Sequence, residues 1–237
     1  MIRTAIAVAA LFAATTPLQA QQIAGGEITL GYSSFTGDLS DANASLIQTS
    51  AEVDFSRNLG MQVDLSRTHF NEYDFNGTSY VFHGLYHLSE TSTAGLFFGN
   101  ETIDGEDSNF FGLEAGTEYR ALAVEGYYAK PTASSVNGYT VYGVFGKVAI
   151  DDSFDITARY DSIDSGMDLS ASRLSLGAQV KLGGGFALYA ETGNASFNTS
   201  SGDLGETFYG IGATYRFGTA RGATFRNRNV SQLIPGL

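Results

Sequence analysis

Ile47-Gln48-Thr49-Ser50-Ala51-Glu52-Val53-Asp54-Phe55-Ser56 decides the fold. Its odd positions are apolar or small and its even positions polar or acidic. A period of two is that of a β-strand, whose successive side chains point to opposite faces. The acidic face opposite bulky apolar residues points to two unlike environments, one apolar and one wet.

The same alternation recurs along the chain. Ile28, Leu30 and Tyr32 share a face, as do Met61, Val63 and Leu65, with Gln62, Asp64 and Ser66 opposite. Tyr80, Phe82, Tyr86 and Leu88 stand opposite His83 and His87. Phe111, Leu113 and Tyr119 oppose Glu114, Glu118 and Arg120; Phe154, Ile156 and Tyr160 oppose Asp155, Arg159 and Asp161; Leu174, Leu176 and Val180 oppose Arg173, Gln179 and Lys181. About twelve segments follow this rule. They span roughly 27–35, 45–57, 60–70, 78–89, 93–103, 109–120, 121–130, 138–150, 153–162, 172–183, 185–196 and 206–217. Phe97 and Val141 blur the alternation in the fifth and eighth.

Short connections alternate with longer polar ones at 36–44, 71–77, 104–108, 131–137, 163–171 and 197–205. This is the asymmetry of a transmembrane up-and-down β-barrel, whose short turns face the periplasm. An even strand number then places both barrel termini there. Closure is obligatory, because a sheet edge in hydrocarbon leaves backbone polar groups without partners. The 13 tyrosines and 17 phenylalanines fit aromatic girdles, although tryptophan is absent. The fold class is therefore all-β, an antiparallel barrel of about twelve strands. A soluble β-sandwich also alternates, but would not set large apolar residues against acids on nearly every strand.

Residues 1–20 are expected to be a signal peptide: Arg3 near the start, an apolar run from Ala5 to Ala14, and a small-residue cut after Ala20. The barrel domain then covers 21–217. With no cysteine, disulfides cannot hold it together. The chain has a net charge of −12, and an acidic body argues against nucleic acid as a partner. Residues 218–237 differ, carrying Arg221, Arg226 and Arg228 and no acid. They are expected to form a flexible periplasmic tail. The sharper alternative is that this basic segment folds back into the acidic lumen, which an extended reach of about 66–72 Å permits.

Assigning faces gives a pore lining of Glu52, Asp54, Asp64, Glu114, Glu118, Arg120, Glu125, Asp155, Arg159, Arg173, Lys181, Glu191 and Arg216, together with Glu27 and Lys147. An acid excess in such a lining favours cations. Hydrolytic chemistry needs a base beside a nucleophile and a carboxylate. Only His69, near Ser66 and Asp74, offers that combination in sequence. His83 and His87 lie on one face of one strand, roughly 13–14 Å apart at the strand rise, too far to share a metal. No catalytic, cofactor-binding or metal residues are assigned, and no cofactor is expected.

Tyr209-Gly210-Ile211-Gly212-Ala213-Thr214-Tyr215-Arg216-Phe217 resembles the terminal strand of outer-membrane proteins, with alternate apolar positions ending in an aromatic residue. With the export signal and strand number, the chain resembles the Gram-negative porins and porin-like outer-membrane barrels. That resemblance implies a non-enzymatic passive channel for small hydrophilic solutes or ions, with weak cation preference. A non-conducting structural or adhesive barrel and an outer-membrane hydrolase are the alternatives. It further implies outer-membrane lipid and the barrel-assembly machinery as partners, Tyr215 and Phe217 as the assembly signal, and homotrimer formation as an open option. In that family the aromatic residue normally closes the chain, whereas here 218–237 follow.

Overall fold

The computed structural model describes residues 22–72, 74–132, 139–164, 170–199, 202–218, 223–229 and 231. The expected signal peptide lies outside the described residues. Strands β1 (Gln22–Phe35), β2 (Asn43–Asp54), β3 (Leu59–Phe70), β4 (Phe75–His87), β5 (Ser92–Ile103) and β6 (Glu106–Tyr119) form one half of the wall. The other half consists of β7 (Leu122–Pro131), β8 (Thr140–Ala149), β9 (Phe154–Asp164), β10 (Ser170–Gly183), β11 (Phe186–Thr199) and β12 (Gly202–Gly218). Each pairs antiparallel with its sequence neighbour. β1 also pairs with β12, in continuous register from Gly25↔Gly218 to Phe35↔Phe208, which closes the barrel. The expected all-β antiparallel barrel is thus the observed one.

Burial is inverted relative to a water-soluble domain. Ile47 is 52% exposed and Leu176 62%, whereas Glu52 is 1% exposed and His83 is fully buried. Exposed apolar side chains girdle the outer face in a contiguous band, the patch that lipid covers in a membrane-spanning barrel. The terminal strand follows the rule: Tyr209, Ile211, Tyr215 and Phe217 point outward, while Phe208 and Thr214 are buried inside.

Several strands begin earlier than the alternation suggests, whereas β2 and β4 end sooner, at Asp54 and His87, and β8 is shorter at both ends. β6 begins at Glu106 rather than 109, and β12 at Gly202 rather than 206. Asp104 and Gly105 alone connect β5 to β6, with φ of 50° and 86°. Two positive-φ residues make the tight turn that matches strand twist, for which Asp-Gly is suited. Polar residues such as Glu106 and Asp107 continue the ladder, opposite Ile103 and Thr102. Between Phe35 and Asn43 the chain forms a short 3-10 turn at Gly37–Leu39.

Phe97 and Val141 blur the alternation because they point inward. With Val81, Phe110 and Ala129 they form an apolar cluster, against which Tyr127, Tyr139 and Ile163 pack. Phe35, Ala42, Ala195 and Phe208 form a second one. The Phe97 and Phe110 rings lie over Gly112 and Gly99, where a Cβ would meet them at 2.3 and 2.2 Å. Glycine on one strand makes room for a ring rooted on the next.

Candidate functional site

The inner wall divides by charge. On β2–β7 the inward ionisable groups are Glu52, Asp54, Asp64, Glu101, Glu114, Glu118 and Glu125, with His83 and His87. The lysine and arginine of these strands, Lys130 and Arg67, sit on the outer face, Lys130 over the Tyr128 ring and Arg67 against Asn76. On β8–β12 and β1, bases and acids are interleaved. Arg173 pairs with Glu191 at 2.6 Å, Lys181 with Asp155 at 2.7 Å and Arg216 with Glu27 at 2.6 Å. Arg159 pairs with Asp161. That half neutralises itself.

The acidic half is answered by the C-terminal segment. Residues 223–229 and Ser231, expected in a flexible periplasmic tail, instead run inside the barrel against β2–β7. The chain leaves β12 at the end of the barrel that carries both termini. From there it meets partners progressively further along the wall. Glu52 accepts the Thr224 N–H at 2.7 Å and its hydroxyl at 3.0 Å. Gln62 grips the Phe225 backbone twice, accepting its N–H at 3.0 Å and donating to its carbonyl at 2.7 Å. Arg228 donates to Glu114 at 3.0 Å and Glu125 at 3.3 Å, with its guanidinium 4.5 Å from the Tyr127 ring centre. Asn229 donates to Ser66 at 2.9 Å, and the Ser231 N–H donates to Glu101 at 2.9 Å. The physical reason for the departure is charge: seven inward acids share β2–β7 with two histidines and no inward lysine or arginine, which leaves an acidic wall for a basic segment to meet.

Phe225 is 2% exposed. A Cβ added at Gly95 or Gly116 would come within 3.1 or 3.2 Å of its ring. Two glycines on β5 and β6 thus form its seat. Burial opposes the Arg228 charge, but Glu125 and Glu114 more than offset it, raising the pKa above the ordinary arginine value. Glu114 also accepts from His83 Nδ1 at 2.7 Å, and His83 Nε2 lies 3.1 Å from Asp64. Asp64, His83, Glu114, Arg228 and Glu125 therefore form one chain of contacts crossing from wall to tail.

Beside the segment a cavity of about 300 Å³ remains. Glu118, Glu125, Arg159, Arg173, Glu191 and Arg216 line it, with Glu27 and Lys147, and Arg226 projects into it from the tail. Asp155 is fully buried beneath Lys181, whose ammonium it holds. Arg120 departs from the expected lining. It occupies the β6–β7 turn with φ of 55°, and its guanidinium lies 5.2 Å from the centre of the exposed Tyr119 ring. The alternation breaks at the turn, so parity no longer assigns its face. Glu101 was missed as a lining residue, although its position opposite Ser79 and Ser108 follows once register is known.

Ligand atoms of Glu52, Asp54 and His87 lie within 4.8 Å of one another, a donor set a cation could use. Here both Glu52 oxygens are engaged by Thr224. The Ser66–His69 combination is not assembled. Ser66 faces the lumen and bonds to Ser79 and Asn229, whereas His69 is on the outer face beside Asn76. Residues three apart on a strand point to opposite sides.

No protein-family model and no curated protein matches the chain. Solved structures do. The KdgM porin superposes with a TM-score of 0.61 at 14% identity, covering 81% of this chain and 99% of that one. The same porin in complex with disordered oligogalacturonate gives 0.62, with the same identity and coverage. The NanC porin gives 0.59 at 10% identity, over 80% of this chain and 98% of that one. At these identities the likeness is one of fold.

Proposed function

We propose that this porin-like barrel is a passive outer-membrane channel for small hydrophilic solutes or ions. The observation that carries the reading is the charged, cavity-bearing lumen inside a band of exposed apolar side chains. A barrel of this kind needs an interior wet enough to accept solutes, and an eight-stranded one is filled by side chains. Inward acids outnumber inward bases even with Arg226 and Arg228 included, which supports a weak cation preference.

In this reading both termini face the periplasm, and Tyr215 and Phe217 on the lipid side of β12 serve the assembly machinery. The test is single-channel conductance of the refolded full chain in a planar bilayer under a salt gradient. Stable current with a cation-directed reversal potential is the expected result. A folded, heat-modifiable barrel that passes no current, with or without residues 219–237, would overturn it in favour of a structural barrel.

A further inference from the structure

We infer that the acidic wall of β2–β7 is a binding site for an extended, arginine-bearing peptide, and that residues 223–229 and Ser231 are its resident occupant. Three observations converge. First, the wall holds main chain as well as side chains: Glu52, Gln62 and Glu101 take the N–H groups of Thr224, Phe225 and Ser231, and Gln62 also donates to the Phe225 carbonyl. Such contacts fit any extended backbone with an N–H in the same place. The acceptor and donor that Gln62 offers together suit a peptide unit, which a metal ion or a simple polyamine lacks.

Second, side-chain selectivity is built at two points. Glu114 and Glu125 converge on one guanidinium with the Tyr127 ring against it, a combination that favours arginine over lysine. Gly95 and Gly116 leave a ring-sized seat three residues earlier in the peptide. The motif read is therefore an aromatic residue followed, three positions later, by arginine.

Third, the segment stands outside the strand ladder that builds the wall. The barrel closes without the segment, since β1 pairs with β12 through Gly218. The segment is thus separable from the wall it covers. Its advantage is its tether, which supplies an effective concentration on the order of millimolar.

The binding claim stands on the wall alone, and its consequence for transport rests on the channel reading. The experiment uses the full chain with Phe225→Glu and Arg228→Glu, which places acids against Glu114 and empties the ring seat. A fluorescent peptide with the sequence of residues 223–231 is titrated in detergent and followed by anisotropy. Saturable binding is expected, at least about 30-fold tighter than to the unmodified chain, where the resident competes. Adding Glu114→Gln and Glu125→Gln to the barrel should weaken it by about tenfold or more.

A chain ending at Gly218 serves as the second receptor, and a scrambled peptide of identical composition as the control. Absence of saturable binding to both folded receptors would overturn the inference, as would equal binding of the scrambled peptide. Current measurements then separate the two readings. Peptide block of an open barrel joins site and channel, whereas binding to a barrel that carries no current leaves the site and removes the channel.

Discussion

The two halves of the inner wall solve the same electrostatic problem differently. From β8 round to β1, Arg159, Arg173, Lys181 and Arg216 each pair with an acid on their own or a neighbouring strand, as in Arg173–Glu191 and Lys181–Asp155. From β2 to β7 no lysine or arginine points inward: His83 and His87 are the inward bases there, and the one guanidinium that meets Glu114 and Glu125 is that of Arg228, from a segment more than 100 residues further along the chain. A self-neutralising wall is complete when the barrel closes. A wall neutralised from outside is complete only when its partner is seated, and is therefore the half where occupancy can change.

Five variants sharpen or break this contrast, in decreasing order of expected effect. Glu114→Lys with Glu125→Lys should expel the tail, because stranding one member of a buried pair costs roughly 3–5 kcal/mol and repulsion adds to it. Trypsin should then cut after Arg226 and Arg228 in the folded barrel, where the unmodified chain is protected. Equal protection in the two proteins would mean that Arg228 does not anchor the segment. Phe225→Ala removes a buried ring worth roughly 1.5–3 kcal/mol, and the same protease assay should show partial release. Gly95→Leu reaches that outcome from the wall side, by filling the seat.

On the other half, Arg173→Met should lower barrel stability by about 1–3 kcal/mol in denaturant titration, since Glu191 loses a close hydrogen-bonded partner. The tail should keep its protease protection, because the groups that Arg173 meets, Glu191 and the Phe208 ring, lie on β11 and β12 and not on the tail. Release of the tail in this variant would contradict the division into halves. The smallest effect belongs to Glu27→Gln, beside a partly exposed Arg216. Stability should change by less than about 1 kcal/mol, and less still in high salt.

Much of the barrel is legible from the chain. Ile47 to Ser56 and the segments like it assign their own faces, because side-chain direction along a strand depends only on parity. The same parity gives Glu52, Asp64, Glu114 and Arg173 to the face opposite the apolar one, and all four are buried. It fails where the chain stops being a strand, at Arg120, and where an inward position is apolar, at Phe97 and Val141. The Asp104-Gly105 turn carried a readable signal, which the polar composition around it concealed behind a longer loop.

The sequence by itself determined an all-β closed architecture, its lipid and lumen faces, and a basic segment following an acidic body. Those are local or compositional properties, set by neighbours one or two residues apart and by the bilayer's demand for paired backbone. Only the tertiary structure decided which acids meet bases on adjoining strands and which stand alone. It also decided that Gly95 and Gly116 jointly seat Phe225, and that Arg228 reaches Glu114 and Glu125. Those contacts join residues about 100 to 130 positions apart, and strand register, fixed only on closure, brings their partners to the same depth in the lumen.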